Sequence, residues 1–117
     1  MISEKSEPAP RRDRAEAELE TARMNVRMAC ALRDINPSQV SQRAGMARNG
    51  LSQFLAGRTV LSYANMLKVC DVLDIPIGIL HVPDSITLNR VRIYRALEQI
   101  GDHQLSQALQ IVQGSDQ

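Results

Sequence analysis

The sequence predicts an all-α fold, and three observations support that prediction. The chain has 117 residues, 44% hydrophobic and 23% charged, which fits one domain with tails. Aromatic residues make up only 3%, so the core must come from Leu, Ile, Val, Met and Ala, which suits helices better than a β-sandwich. Apolar residues also recur at spacings of three and four, the period of an amphipathic helix.

Two elements are predicted at the N-terminus. Residues 1–14 predict a disordered tail, because prolines sit among dense charges and no apolar stripe is present. Its cluster of Arg11, Arg12 and Arg14 is either part of an ordinary soluble tail or an arm that touches DNA. Residues 15–34 then predict a helix. Its inward stripe is Leu19, Ala22, Val26, and Ala29 or Cys30.

A pair of short helices is predicted next. Asn36 is a good N-cap for a helix from Pro37 to Ala44, since proline in the first position forfeits no helical hydrogen bond. Gly45 stands where the end of that helix needs a left-handed residue. The following helix is predicted to run to about Ala56. Its inward residues are Ala47, Leu51, Phe54 and Leu55.

Two further helices complete the predicted domain. Ser62 caps a helix over residues 63–74, with Tyr63 and Met66 expected in the core, and a short helix follows over 75–80. Residues 15–82 therefore predict a five-helix domain whose core is complete by Leu80.

Residues 83–113 predict a helical appendage, followed by a tail over 114–117. Asp84 or Ser85 is expected to cap its first helix, although alternation of apolar residues leaves a short strand at 85–90 as an alternative. A turn at Gly101-Asp102, with Asp102 as a cap, is expected to fold two helices against each other. We expect their apolar residues to form a dimer interface, in preference to packing on the chain's own domain. These residues are Ile93, Leu97, Ile100, Leu105, Leu109 and Val112.

Charge is unevenly distributed along the chain. The net charge is only +1, but residues 21–60 hold six arginines against the single acid Asp34, a net charge of +5. Such a region attracts phosphate, although charge alone equally fits a solvated basic face.

The order helix, glycine turn, helix in residues 37–56 is the physical description of a helix-turn-helix. The outward side of its second helix carries Arg, Asn and Gln, which can each form two hydrogen bonds to a base edge in the major groove. Gly50 is costly inside a helix. Close approach to a partner and a tight contact with a neighbouring helix explain it equally well.

Residues 36–80 resemble the lambda-repressor-like (XRE) helix-turn-helix DNA-binding domains. The turn RAGM, the inward Leu51, the segment LAGR and the capped helix ending KVCDVLDIP stand at that family's spacing. With residues 22–35 as the first helix, the resemblance covers about half the chain. It implies a five-helix DNA-binding domain.

The resemblance also implies which residues touch DNA. Base-reading residues would be Arg48, Asn49, Ser52 and Gln53. Contacts to the DNA backbone would come from the start of the second helix and from the end of the third helix with the loop after it. These residues are Ser38, Gln39, Ala56, Arg58, Thr59 and Ser62.

Two positions depart from the family pattern. Pro37 stands where the family usually has Gln, so a common supporting contact is absent. Ser41 replaces a usual Ala at the helix crossing, which either loosens the packing or adds a hydrogen bond.

Enzyme, metal and cofactor functions are not predicted. His81 and His103 lack Cys, Asp or Glu at ligand spacing, and no phosphate-binding glycine loop or nucleophile elbow is present. Cys30 and Cys70 each fall in an apolar helical pattern, which predicts buried, reduced thiols. No apolar run reaches the roughly 20 residues of a membrane span, and no signal peptide is evident, so the expected location is cytoplasmic.

The sequence therefore predicts a transcriptional regulator that binds double-stranded DNA, in its simplest form a repressor that sits on a palindromic operator as a homodimer. Two alternatives stay open. One is an antitoxin or restriction-system controller of the same fold that also binds a protein partner. The other is an adaptor that uses the fold for protein contacts alone, against which the concentrated arginines argue.

Overall fold

The computed structural model describes residues 11–115, and the side chains of residues 13–114. Among these residues lie six α-helices and one short 3-10 helix, with no strand. The helices are α1 (Arg11–Arg33), α2 (Pro37–Arg43), α3 (Gly50–Leu55), α4 (Tyr63–Leu73), α5 (Leu88–Glu98) and α6 (Asp102–Ser115), and the 3-10 helix is Ile77–Ile79. The all-α prediction is confirmed.

The two ends of the described chain are more helical than we predicted. Helix α1 begins at Arg11, so residues 11–14 are not part of a disordered tail. Strong helix formers follow that point, and Asp13 in the first turn complements the helix dipole. Helix α6 likewise includes residue 114, which we had assigned to a tail. Residues 1–10 and 116–117 of the predicted tails lie outside the described residues.

The core lies where α1, α2, α3 and α4 meet. Its fully buried side chains include Val26, Val40, Leu51, Phe54 and Leu73. The inward stripe predicted for α1 is confirmed. Tyr63 is not in the core, because 71% of its surface is exposed, and Ala47 is also exposed.

Four helices end with the same left-handed turn. Gly45 (φ 72°) and Gly57 (φ 80°) adopt it after α2 and α3, and Asp34 and Asp74 (both φ 53°) adopt it after α1 and α4. In each, two N–H groups bond back to carbonyls of the last helical turn, as Ile35 does to Cys30 at 3.0 Å. Aspartate serves in two of these turns because its short polar side chain tolerates this conformation.

The core does not end at Leu80, as we had predicted, because α5 and the segment before it contribute to it. Ile86 and Val91 are only 4% and 6% exposed. Asn25 of α1 holds the segment by donating from Nδ2 to the carbonyls of Leu80 and Val82, at 2.6 and 2.9 Å. Helix α5 is thus anchored to the domain.

The start of α5 also differs from our prediction. Thr87, rather than Asp84 or Ser85, is the N-cap, and its hydroxyl accepts the Arg90 N–H at 3.0 Å. The buried Ser85 instead donates its hydroxyl to the Ile79 carbonyl at 2.6 Å. The strand alternative at 85–90 is wrong, since helix begins at Leu88.

Helix α5 meets the rest of the domain through its side chains. The Tyr94 ring lies against the backbone of Gly78, where a Cβ would come within 2.4 Å of the tyrosine Oη. Arg95 approaches the Asp74 carboxylate at 3.6 Å. These contacts fix α5 beside the end of α4.

Helix α6, by contrast, extends away from the core. The predicted folding of α5 and α6 against each other is wrong, because α6 packs along no other helix of the described residues. The radius of gyration is 17.0 Å, against about 13 Å for a compact domain of about 100 residues. Within residues 11–115, no helix has both the length and the hydrophobicity of a membrane span.

Candidate nucleic-acid interface

Helices α2 and α3 form the helix-turn-helix, and a hydroxyl joins them at their crossing. Ser41 is 0% exposed, and its Oγ accepts the N–H of Leu51 at 2.9 Å. The N-cap residue of α3, Asn49, makes no such bond with its own side chain. Ser41 therefore takes the part of an N-cap from another helix, and the substitution we had noted at this position adds a hydrogen bond.

The turn between the helices has the backbone geometry that the sequence predicts. Gly45 is left-handed, and the N–H groups of Gly45 and Met46 bond to the carbonyls of Gln42 and Ser41, at 3.2 and 2.9 Å. A Cβ at Gly45 would meet no atom within 4 Å, so this position needs glycine for its backbone conformation and not for space. A Cβ at Gly50, by contrast, would lie 3.1 Å from the Met46 Cε, which is the flexible end of a side chain in the turn and not part of a neighbouring helix.

Helix α2 begins with a reciprocal cap. The Asn36 side chain accepts the Gln39 N–H at 2.8 Å, and the Gln39 side chain accepts the Asn36 N–H at 3.0 Å. This leaves the amide NH₂ of Gln39, an exposed residue, able to donate outward. Ser38 beside it is half-buried.

The predicted base-reading residues lie at the N-terminal end of α3. Arg48 and Asn49 precede the helix, which begins at Gly50. Arg48, Asn49 and Ser52 are exposed, whereas Gln53 is half-buried. Arg48 and Asn49 thus lie at the start of α3, and Ser52 and Gln53 lie within it, on a helix whose Leu51 N–H is bonded by Ser41.

The loop after α3 brings a predicted backbone-contacting residue next to a predicted base reader. Gly57 turns the chain so that the Arg58 N–H bonds to the Gln53 carbonyl at 3.0 Å. The Arg58 guanidinium also approaches the Gln53 Oε1 at 3.5 Å. Our prediction treated the two residues as separate, but they are neighbours whose side chains can influence each other.

The other predicted backbone-contacting residues of this region are exposed: Ala56, Thr59 and Ser62. Ser62 also caps α4, because its Oγ accepts the Asn65 N–H at 3.1 Å. Its hydroxyl proton can still be donated to a phosphate oxygen.

Two arginines of α1 secure the C-terminal end of α3, a role that the sequence did not reveal. Arg23 is 6% exposed, and its Nε donates to the Phe54 carbonyl at 2.7 Å while its guanidinium lies 5.0 Å from the centre of the Phe54 ring. It also donates to the Thr59 carbonyl at 3.3 Å, and Arg27 donates to the carbonyl of Leu55. These bonds satisfy carbonyls at the end of a helix and fix the loop that follows it.

A third arginine serves α4 in the same way. Arg33 donates to the carbonyls of Leu73 and Asp74, both at 2.8 Å. Half of the six arginines in residues 21–60 thus bind protein carbonyls. The other three, Arg43, Arg48 and Arg58, are exposed on or beside the helix-turn-helix.

Both cysteines are free and buried. Burial raises the pKa of each thiol, and that of Cys70 to about 11. His81 and His103 are exposed. Within the described residues, no group of three or more His, Cys, Asp or Glu is placed to hold a metal ion.

Comparison with known families identifies this arrangement. The model of the Cro/C1-type HTH DNA-binding domain matches residues 25–81. The chain thus contains a Cro/C1-type domain over just under half of its length, and this domain supports a DNA-binding transcription regulator of the lambda-repressor-like class. No curated protein and no solved structure shows significant similarity to the chain. The match covers the last part of α1, from residue 25, and all of α2, α3 and α4, and it leaves α5 and α6 outside the Cro/C1-type domain.

Proposed function

We propose that this Cro/C1-type regulator is a cytoplasmic repressor that binds a near-palindromic operator as a homodimer. The observation that carries the proposal is the polar, exposed end of α3, held at its start by Ser41 and at its end by Arg23 and Arg27. A helix end secured in this way can present side chains to the major groove with little loss of freedom on binding. Repression then follows from occupation of a promoter.

Each of the base-reading residues has a chemistry that suits this role. Arg48 can bond the O6 and N7 atoms of guanine, and Asn49 can bond the N6 and N7 atoms of adenine. Gln53 accepts from Arg58 through its Oε1 and keeps its NH₂ as a donor to an acceptor on a base edge. Ser52 is exposed one turn along α3 and can donate or accept.

The DNA backbone would be held on both sides of that surface. Arg58, Thr59 and Ser62 would contact phosphates from the loop after α3, with Ala56 close to the backbone. Ser38 and Gln39 would contact them from the start of α2. These contacts position the protein but carry no sequence information.

Alanine substitutions separate the two groups. Arg48→Ala and Gln53→Ala should lower specific binding by about 1–3 kcal/mol and relax the preference at particular base pairs. Arg58→Ala should weaken binding to every sequence and reduce the dependence of the binding constant on salt. The exposed Lys68 of α4 supplies a control, whose alanine variant should bind as wild type does. Equal loss of specificity in Arg48→Ala and Arg58→Ala would contradict the division.

The homodimer is proposed because one recognition helix offers too few base contacts for a distinctive site. Its support is an exposed or half-exposed set of apolar side chains outside the Cro/C1-type match. They are Ile93, Leu97, Ile100, Leu105, Leu109 and Val112. Two copies related by a twofold axis would place their recognition helices about 34 Å apart, matching half-sites about 10 base pairs apart.

Truncation after Gly101 tests the homodimer, since it removes α6 and leaves the core residues of α5 in place. Light scattering should show a dimer for the full chain and a folded monomer for the truncated chain. Operator binding by the truncated chain should be much weaker. A truncated chain that still dimerises and binds normally would move the interface into the first five helices.

A protein partner is the second candidate, because Leu109 and Ile111 of α6 are exposed and could bind a different protein, as in an antitoxin or restriction-system controller. An adaptor without DNA binding is the third. A gel shift with random duplex at low salt separates the adaptor from the regulator, because only the regulator should retard the duplex.

A further inference from the structure

Two apolar surfaces of the C-terminal region face solvent within one copy of the chain. The first is a groove of about 410 Å³ beside α5, here called the α5 groove, whose lining includes Ile79, Val82, Ile93, Tyr94 and Leu97. The second is the stripe on α6, here called the α6 stripe, formed by Leu105, Ala108 and Leu109. Ile93 and Leu109 are 51% and 55% exposed, so each surface leaves large aliphatic side chains in water.

The two surfaces do not meet within one copy. No residue of α6 lines the α5 groove, and α6 does not pack along α5. Hydrogen bonds fix the connection between the helices: Gln99 N–H bonds to the Ala96 carbonyl at 3.1 Å to close α5. Gly101 accepts the Leu105 N–H at 3.0 Å and donates to the Gln104 side chain at 3.3 Å to open α6. The end of α5 and the start of α6 are thus each closed by local hydrogen bonds.

We propose that α6 of one copy lies in the α5 groove of a second copy, and that the second copy returns the same contact. This inference rests on the homodimer proposed above and specifies its geometry. It pairs α6 with α5, and not α6 with α6. Each chain contributes one helix and one groove, so the twofold axis creates two identical contacts.

The dimensions of the two surfaces are compatible. Helix α6 has 14 residues and α5 has 11, which correspond to lengths of about 21 and 16 Å. One α6 can therefore cover the groove along the whole of α5.

The charges of the two helices are also complementary. Helix α5 carries Arg90, Arg92 and Arg95 against the single acid Glu98. Helix α6 contains no Lys or Arg, and it has an acid, Asp102, in its first turn. Exchange therefore brings a helix with one acid and no Lys or Arg to a helix with a net charge of +2, whereas α5 with α5 would oppose like charges.

A second copy fits these surfaces better than an unrelated protein does. The α5 groove and the α6 stripe belong to the same chain, and reciprocal exchange covers both with one kind of contact. An unrelated partner on either surface would leave the other in water, where exposed aliphatic residues favour association. Because Val91 and Tyr94 anchor α5 to the domain, the exchanged α6 would tie the two domains together firmly.

The experiment mixes two variants that are each impaired on one surface. Ile93→Asp alters the groove and Leu109→Asp alters the stripe. Each alone should weaken self-association about 100-fold or more, because the twofold dimer contains the contact twice and each copy of the contact loses one buried aliphatic side chain. An equal mixture should regain association, because a heterodimer contains one helix–groove contact in which both surfaces are wild type. Its other contact carries both substitutions, but a contact already opened by one buried charge loses little more from a second. Sedimentation at matched concentrations measures each sample.

Matched controls exclude general effects of the added charge. Gln107→Asp places the same charge on the opposite, exposed face of α6 and should dimerise as wild type does. Thermal melting should show that Ile93→Asp and Leu109→Asp stay folded, since both side chains are more than half exposed.

A cross-link supplies a second measurement. Val82→Cys and Leu109→Cys variants, mixed and treated with a bifunctional thiol reagent, should give a heterodimer in excess of either homodimer. The native thiols are buried and should not react.

The outcomes separate the two proposals. Recovery in the mixture, together with the mixed cross-link, supports exchange. If the wild-type chain dimerises but the mixture recovers nothing, or if Leu109→Cys cross-links mainly to itself, exchange is overturned while the homodimer stands. A wild-type chain that is monomeric at every concentration overturns both, and DNA binding by the Cro/C1-type domain is then judged separately by gel shift.

Discussion

The helix-turn-helix and helix α6 differ in where their hydrogen-bonding and packing partners come from. In the helix-turn-helix, Ser41, Arg23 and Arg27 supply partners from distant parts of the sequence to both ends of α3. In α6, a local bond to Gly101 opens the helix, and its apolar stripe has no cover from another helix of the described residues. Both ends of α3 are thus held by partners from other elements of the chain, whereas the bond that opens α6 is local.

Helix α5 is similar to the helix-turn-helix in this respect, because contacts within the chain hold it in place. It lies outside the Cro/C1-type match, but Val91 is in the core and Tyr94 packs on Gly78. The buried contacts of the domain therefore continue beyond Val82 into α5.

The largest expected effect is the difference in stability between two truncated chains, one with α5 and one without it. Truncation after Val82 removes the buried Ile86 and Val91, each worth about 1.5–3 kcal/mol. It should therefore have a free energy of unfolding about 3–6 kcal/mol below that of the chain truncated after Gly101. Urea titration followed by circular dichroism measures both, and both lack α6. Equal stability would show that α5 is not part of the core.

The two turns should respond differently to the same substitution. Gly45→Val forces a β-branched residue into a left-handed conformation and should cost about 2–3 kcal/mol of stability. Gly101→Val should cost little, since Gly101 is not left-handed and a Cβ there would meet no atom within 4 Å. Thermal melting compares them. If Gly45→Val melts as wild type does, the turn is misplaced.

Removing the buried hydroxyl of Ser41 should have a smaller effect on stability. Ser41→Ala leaves the buried N–H of Leu51 without its acceptor and should cost about 1–2 kcal/mol. Ser106→Ala, on the exposed surface of α6, is the matched control and should leave the stability unchanged. Specific DNA binding by Ser41→Ala should also weaken, measured by gel shift. A Ser41→Ala protein as stable as Ser106→Ala would show that water or a rearrangement replaces the bond.

The smallest expected effect is the pH dependence of stability that arises from the buried cysteine thiols. Burial raises the pKa of Cys70 to about 11, so the folded state holds the proton more tightly than the unfolded state. The stability that this provides is present below about pH 9 and is lost as the pH rises from there towards 11. At pH 8, Cys30 and Cys70 should label slowly, whereas the thiol of a Gln107→Cys variant, on the exposed face of α6, should label fast. Rapid labelling of either native thiol without denaturant would contradict its buried position.

The parts of the fold that depend on local signals could be predicted from the sequence. Asn36-Pro37 and Gly45 mark helix ends through bonds within a few residues, and the apolar period identifies the inward faces of α1 and α3. The same local signals located the four exposed or half-buried residues at the start of α3. Their contacts with bases remain predictions.

The parts that depend on distant contacts could not be predicted. Arg23 meets the Phe54 carbonyl across 31 positions of the sequence, and Arg33 meets the Leu73 carbonyl across 40. Counting charges along the sequence would assign both arginines to the solvent-exposed surface. The exposure of Tyr63 and the direction of α6 likewise depend on how helices meet in three dimensions, which the apolar period of one helix does not record.

The arginine caps have a consequence for how fast the protein finds DNA. Glu20 lies 2.8 Å from Arg23 and Asp74 lies 3.7 Å from Arg33, so two carboxylates from outside residues 21–60 offset part of the positive charge that this stretch shows in the sequence. Long-range attraction accelerates encounter only as far as the summed charge permits. Capture of the protein by DNA should therefore be slower, and less accelerated by low salt, than a +5 segment suggests. Arg43, Arg48 and Arg58 would supply most of the electrostatic steering that remains.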